Sequence, residues 1–150
     1  MKVHYDEGLF VGYKWYDRLN VEPLYEFGFG LSYTTFSMTG SITATRYPRK
    51  TAYGIQASIT NTGKVSGKQT VQLYLGIPDS AEPPKLLRDF EKVYLDAVEV
   101  TVVSFCLTEE DLQIWDKPKG KWLTLPGGYK IILGFSSRDI QLKTNINRAV

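Results

Sequence analysis

The sequence predicts an all-β fold, an antiparallel β-sandwich of about seven short strands with Greek-key connections. Three observations lead there. Apolar residues alternate at period two in one short run after another from about Thr34 onward. Gly, Pro, Asn and Asp interrupt these runs roughly every ten residues. A helix start is signalled at one place only, after Leu107. A closed barrel is the architectural alternative, because it uses the same strand pattern.

The elements follow in order. Thr35 to Ile42 sets Phe36, Met38 and Ile42 on one face, and Tyr53 to Ile59 does the same with Tyr53, Ile55, Ala57 and Ile59. Asn61-Thr62-Gly63 turns the chain with residues that tolerate positive φ. Thr70 to Ile77 alternates Val71, Leu73, Leu75 and Ile77 against Gln72, Tyr74 and Gly76. The loop Pro78 to Pro84 excludes a central strand. Phe90–Leu95 and Val98–Leu107 come next, with Val103, Phe105 and Leu107 facing the core and Cys106 read as a small buried hydrophobe. Thr108 caps a helix of a turn or two, with Glu109, Glu110 and Asp111 complementing its dipole. Gly128–Phe135 and Asp139–Ile146 complete the set. Ahead of it, Leu9 to Tyr16 reads as a strand apolar on both faces, which wants cover on both. The opening Met1 to Phe10 reads as the middle of an element, so a fragment of something longer is expected.

Composition bounds the function. A hydrophobic content of 43% and a charged content of 23% describe a globular chain able to bury a core. The net charge of +2, with basic clusters at Arg46–Lys50 and Lys117–Lys121 in turn-like sequence, argues against nucleic-acid binding. No apolar run approaches the ~20 residues of a membrane helix, and no signal peptide opens the chain. One cysteine forms no internal disulfide, and one histidine, His4, leaves no nucleophilic triad and no His-rich zinc site. No cofactor or metal is called for.

A retaining glycosidase needs two carboxyl groups roughly 5–5.5 Å apart. Asp6 and Glu7 point to opposite faces of a strand, and Asp79 and Glu82 sit in a solvated loop, so no catalytic pair is nominated. Gly28-Phe29-Gly30 lacks the Lys and helix of a phosphate loop. Trp115 and Trp122 flank the lysine loop and are the candidates for stacking on sugar rings, the alternative being that they cap an edge of the core.

The segment Tyr5 to Lys14, followed by Pro23-Leu24-Tyr25-Glu26-Phe27-Gly28-Phe29-Gly30-Leu31-Ser32-Tyr33-Thr34-Thr35-Phe36, resembles the C-terminal region of glycoside hydrolase family 3, fungal β-glucosidases above all. The likeness continues through Asn61-Thr62-Gly63, Val71 to Leu75, Leu87 to Val93, Asp111 to Asp116, Pro126-Gly127 and Ser136 to Ile140. It implies a fibronectin type III-like, immunoglobulin-like domain over 34–150. Residues 1–33 would then be the last strand and linker of an incomplete α/β sandwich domain. It also implies a secreted, extracellular parent that hydrolyses terminal β-glucosyl residues in cellulose or β-glucan breakdown. Both catalytic carboxylates of such a parent lie upstream of these motifs, so none is carried over. The expected partners are the catalytic domains, contacted through Phe10, Tyr13, Trp15, Tyr25, Phe27, Phe29 and Tyr33. Without that cover, residues 1 to about 30 are expected to be poorly ordered or to self-associate. A β-glucan or cello-oligosaccharide on Trp115 and Trp122 is the rival role. Val98 departs from the family pattern, which has Gly there, and would be strained in a turn needing positive φ.

Overall fold

Alternation at period two gives each strand one apolar face, and two such faces close on each other. The computed structural model describes residues 2–47, 52–79 and 81–148. Part of the Arg46–Lys50 basic cluster, Pro48 to Lys50, and Ser80 of the proline-rich loop lie outside the described residues. One antiparallel sheet has β1 (Phe36–Tyr47), β2 (Ala52–Asn61) and β5 (Val100–Leu107) in the order β1-β2-β5. The facing sheet has β3 (Gly67–Gly76), β4 (Leu86–Leu95), β8 (Gly127–Gly134) and β9 (Ile140–Arg148) in the order β4-β3-β8-β9. A two-stranded ribbon, β6 (Gln113–Asp116) with β7 (Lys121–Thr124), stands apart from both. The sandwich therefore has the seven strands expected, and the barrel alternative falls away.

The predicted core faces are the observed ones. Ile55 and Ile59 of β2, Val71, Leu73 and Leu75 of β3, Val103 of β5 and Ile131 and Leu133 of β8 are fully buried. Burying each such side chain contributes about 1.5–3 kcal/mol. Gly40, at φ 87, lies in the β1 irregularity between Thr39 and Thr43, and Met38 and Ile42 on either side of it are both buried.

Two expectations need correction. Residues 9–16 do not form a strand: the chain turns at 6–9, passes through Gly12 at φ 59 and enters helix α1 (Tyr13–Leu19). The helix stops at Asn20 in the left-handed region, so a Gly and an Asn bracket it. Cys106 is exposed, because Phe105 and Leu107 claim the core face of β5 and their neighbour must point out. The helix after Leu107 is a single 3-10 turn, Glu110–Leu112, ended when Gln113 turns extended. There the Thr108 hydroxyl accepts from the Asp111 N–H (3.4 Å) while the Asp111 carboxylate accepts from the Thr108 N–H (2.7 Å). The Lys117–Lys121 stretch, turn-like in sequence, forms the tip of the β6–β7 hairpin, with Gly120 at φ 59.

The turn after Asn61 does not use positive φ at either Asn61 or Gly63. Gly63 is required for space instead, since a Cβ there would lie 2.1 Å from Thr34 Oγ1. Asn61 is fully buried. Its Nδ2 donates to the carbonyls of Val65 (2.8 Å), Leu95 (3.3 Å) and Asp96 (3.0 Å), and its Oδ1 accepts from Thr34 Oγ1 (2.6 Å) and the Gly63 N–H (3.0 Å). One amide thus ties the start of β1, the end of β2 and the β4–β5 turn together.

In that last turn Val98 adopts φ 57 and is exposed. A left-handed conformation costs an L-residue roughly 1–2 kcal/mol, and a β-branched one has no local hydrogen bond to offset it. Val98→Gly is expected to raise stability by about 1 kcal/mol, after the entropy Gly adds to the unfolded chain. Urea unfolding checks this, and an unchanged or lowered midpoint would contradict it.

Candidate functional site

The four-stranded sheet is buried on its inner face and, at the centre of β3, on its outer face as well. On its outer side Gln72 and Tyr74 of β3 are as hidden as the core, Tyr74 completely. What hides them is the segment ahead of β1. Tyr13 of α1 stacks on Phe27 (centroids 5.0 Å apart) and meets the Tyr74 ring edge-on (5.8 Å), and its hydroxyl accepts from the Leu87 N–H (2.8 Å). Burial pushes the Tyr13 and Tyr74 phenols above their ordinary pKa, Tyr74 far above, so both remain neutral hydrogen-bonding groups.

Asp17, one helical turn after Tyr13, fastens the same face of α1. Its carboxylate, 7% exposed, is held by Lys85 Nζ and, at 3.1 Å, by Arg138 Nε. Lys85, just ahead of β4, is itself 11% exposed and lies 5.7 Å from the Tyr74 ring centroid. Arg138, in the β8–β9 turn, also donates to the carbonyls of Val21 (2.9 Å) and Tyr16 (3.3 Å), at and just beyond the end of α1. One guanidinium therefore braces the end of the helix and neutralises its only deeply placed acid.

The second attachment is the glycine-rich strap. Phe27 accepts from the Ser137 N–H (2.8 Å), and the Glu26 carboxylate accepts from the Ser136 hydroxyl (3.0 Å). Gly28, at φ 84, lies against Gln72: a Cβ there would sit 2.1 Å from Gln72 Nε2. That amide donates to the Phe135 carbonyl (3.0 Å), and its oxygen accepts from the Tyr74 hydroxyl. A buried amide, a tyrosine and a glycine thus interlock beneath the strap.

Of the aromatic residues nominated for interdomain contact, the structure turns Tyr13 and part of Phe27 inward. Phe10 lies under Arg18, whose guanidinium is 3.9 Å from the ring centroid. Trp15, Tyr25, Phe29 and Tyr33 face outward, and Tyr33 is fully exposed. Leu24 and Leu31, not nominated, are 89% and 92% exposed beside them. A cleft of about 390 Å³ opens among Gly12, Tyr16, Pro23, Tyr25 and Arg138. The segment expected to be loose is thus fastened on one side and apolar on the other.

Trp115 and Trp122 oppose each other across the β6–β7 ribbon, with centroids 5.6 Å apart and rings T-shaped. They are 49% and 61% exposed. Sequence reasoning missed Asp17, Lys85 and Gln72, although Tyr13 and Asp17 stand at the i, i+4 spacing of one helix face. Among the described residues no group of three His, Cys, Asp or Glu side chains is placed to hold a metal.

Asp17→Asn leaves Lys85 buried without a counter-charge, a loss of about 3–5 kcal/mol when such a pair is broken. Hydrogen exchange is expected to speed at residues 13–29 while the β2, β3 and β8 amides stay protected. Equal acceleration throughout, or none, would contradict the clamp. Gly28→Ala is expected to act the same way through the Gln72 clash.

Comparison with known proteins adds to this geometry. A family model described as a fibronectin type III-like domain matches residues 69–137. A probable β-glucosidase L of Emericella nidulans is 42% identical over 154 residues, covering 91% of this chain and 21% of its own length. The crystal structure of a β-glucosidase from Chaetomella raphigera superposes with TM-score 0.91 at 36% identity, over 97% of this chain and 23% of that one. A Bifidobacterium adolescentis family 3 β-glucosidase gives TM-score 0.88 at 35% identity, over 95% and 21%. The chain spans about a fifth of the length of these relatives. Sequence and structure agree that it matches the fibronectin type III-like C-terminal region of glycoside hydrolase family 3 β-glucosidases.

Proposed function

We propose that the chain is a non-catalytic scaffold that holds the catalytic domains of a retaining β-glucosidase in place. The parent activity is hydrolysis of terminal β-D-glucosyl residues, in cellulose or β-glucan breakdown outside the cell. Residues 1–33 would be the portion contributed by, and docked on, an α/β domain, and 34–150 the fibronectin type III-like unit. The carrying observation is the outward side of this segment, where Trp15, Leu24, Tyr25, Phe29, Leu31 and Tyr33 leave six large apolar side chains in water. Large apolar side chains exposed together on one segment, with Tyr25 and Phe29 in ring contact, are the kind of surface that marks an interaction site. Its inner side is already fixed to the sandwich, so a partner meets a preordered surface and loses less entropy on docking.

A second reading, a module that binds carbohydrate, is favoured by the exposed Trp115–Trp122 pair alone.

The test mixes the purified chain with the barrel and α/β domains of the similar Emericella nidulans enzyme, produced without their own C-terminal region. The chain is expected to bind them and raise their thermal stability. Leu31→Ser with Tyr33→Ser is expected to weaken binding at least about tenfold, as loss of ~1.4 kcal/mol of apolar contact requires. The chain alone is expected not to turn over an aryl β-glucoside. Absence of association, or turnover by the chain itself, would overturn the reading.

A further inference from the structure

Two exposed aromatic pairs flank one cleft. Trp15 and Tyr16 of α1 meet edge-on with ring centroids 5.2 Å apart, and Tyr25 and Phe29 of the strap lie 5.5 Å apart. Tyr16 and Tyr25 both line the cleft of about 390 Å³, with Pro23 and Leu24 between them in sequence. All four rings are exposed, and so is Leu24. Trp15 and Phe29, far apart along the chain, are thus joined through a single apolar opening.

The cleft is held open by bonds of its own. Its walls come from three places: the start of α1, the strap, and Ser137 with Arg138 of the β8–β9 turn. Arg138 ties them together, with Nε on Asp17 (3.1 Å) and Nη2 on the carbonyls of Val21 (2.9 Å) and Tyr16 (3.3 Å). The Ser137 N–H donates to the Phe27 carbonyl (2.8 Å) on the strap side. The walls therefore keep their spacing without a guest, and a guest has little left to order. The same bonds occupy the strong polar groups. The guanidinium also reaches the exposed Glu22 carboxylate (3.5 Å), and among the described residues no acid lines the cleft. What stays open to an occupant is mainly ring surface and the Leu24 side chain.

We propose that this cleft receives one large uncharged side chain, aromatic or branched aliphatic, from the catalytic portion of the parent, and anchors that interface. The assignment rests on the scaffold reading and adds where the partner docks and with what chemistry. A charged side chain would give up water for a guanidinium that already has its partners. A sugar ring brings several hydroxyls that each need a partner, and a cleft whose guanidinium and Ser137 N–H are taken answers few of them. An apolar side chain needs none. Protein interfaces draw most of their energy from a few such aromatic-walled pockets, ringed by contacts that exclude water. Trp15 and Phe29 stand where that ring belongs.

Solution NMR of the whole chain, titrated with indole and separately with methyl β-D-glucoside, tests the chemistry of the cleft. Indole is expected to shift the Gly12, Tyr16 and Tyr25 signals saturably, and the glucoside is not. Tyr25→Ala is expected to weaken indole about tenfold, while Leu31→Ser, outside the cleft, leaves it unchanged. Association with the catalytic domains of the Emericella nidulans enzyme tests the partner. Tyr16→Ala with Tyr25→Ala is expected to weaken it at least about thirtyfold, the scale of a hot spot, and more than Leu31→Ser with Tyr33→Ser does. Circular dichroism confirms that each variant is folded. No indole shifts at the cleft, equal binding of the glucoside, an unaffected Tyr25→Ala, or equal losses from the two pairs would each overturn the assignment and leave the scaffold reading standing. Absence of any association would overturn both.

Discussion

Everything ahead of the first strand depends on one carboxylate. Asp17 lies between Lys85 and Arg138, and each cation reaches it from a different part of the second sheet. An isolated buried acid would be costly, and so would either cation alone. Together they balance, but only while α1 is seated on the sheet. The ion cluster therefore adds less net energy than its contacts suggest and fixes position strongly. The aromatic layer of Tyr13, Phe27 and Tyr74 supplies the apolar burial, and the cluster decides where that layer sits.

This arrangement explains why the centre of β3 is buried on both faces while β5 of the first sheet is not. The outer side of β5 carries Val102, Ser104 and Cys106, all exposed. The outer side of β3 carries Gln72 and Tyr74, both covered. A buried glutamine needs partners, and it has them in the Phe135 carbonyl and the Tyr74 hydroxyl. The glycines of the strap have the same origin. Gly28 is positioned where the backbone must pass over that glutamine, with no room for a side chain. The aromatic and glycine content of the segment is thus two requirements met in one stretch, close approach on the inner side and apolar contact on the outer.

The sandwich was legible because its strands obey a local rule: Tyr53, Ile55, Ala57 and Ile59 alternate, and alternation alone assigns their face. Burial of the opposite face of β3 was not legible, since Gln72 and Tyr74 read as the ordinary outward set of a half-buried strand. Their cover comes from residues some fifty positions away. Helix α1 was hidden for a related reason. Tyr13, Trp15 and Tyr16 look apolar on every side, and only the burial of Tyr13 with Asp17 shows the helical face. The bracketing Gly12 and Asn20 were the available signal. The β6–β7 hairpin was not legible because its two strands are only four residues each, too short for alternation to stand out beside the turn between them. Trp115 and Trp122 were found by residue type, but their pairing needed the register.

The central claim is that the segment ahead of β1 is part of the packing of the second sheet. The most direct measurement is the set of nuclear Overhauser contacts of the Tyr74 ring in the isolated chain in solution. The account predicts cross-peaks from Tyr74 to the Tyr13 ring, which in turn contacts Phe27. A Tyr74 ring without Tyr13 contacts, together with random-coil shifts over residues 13–29, would contradict it.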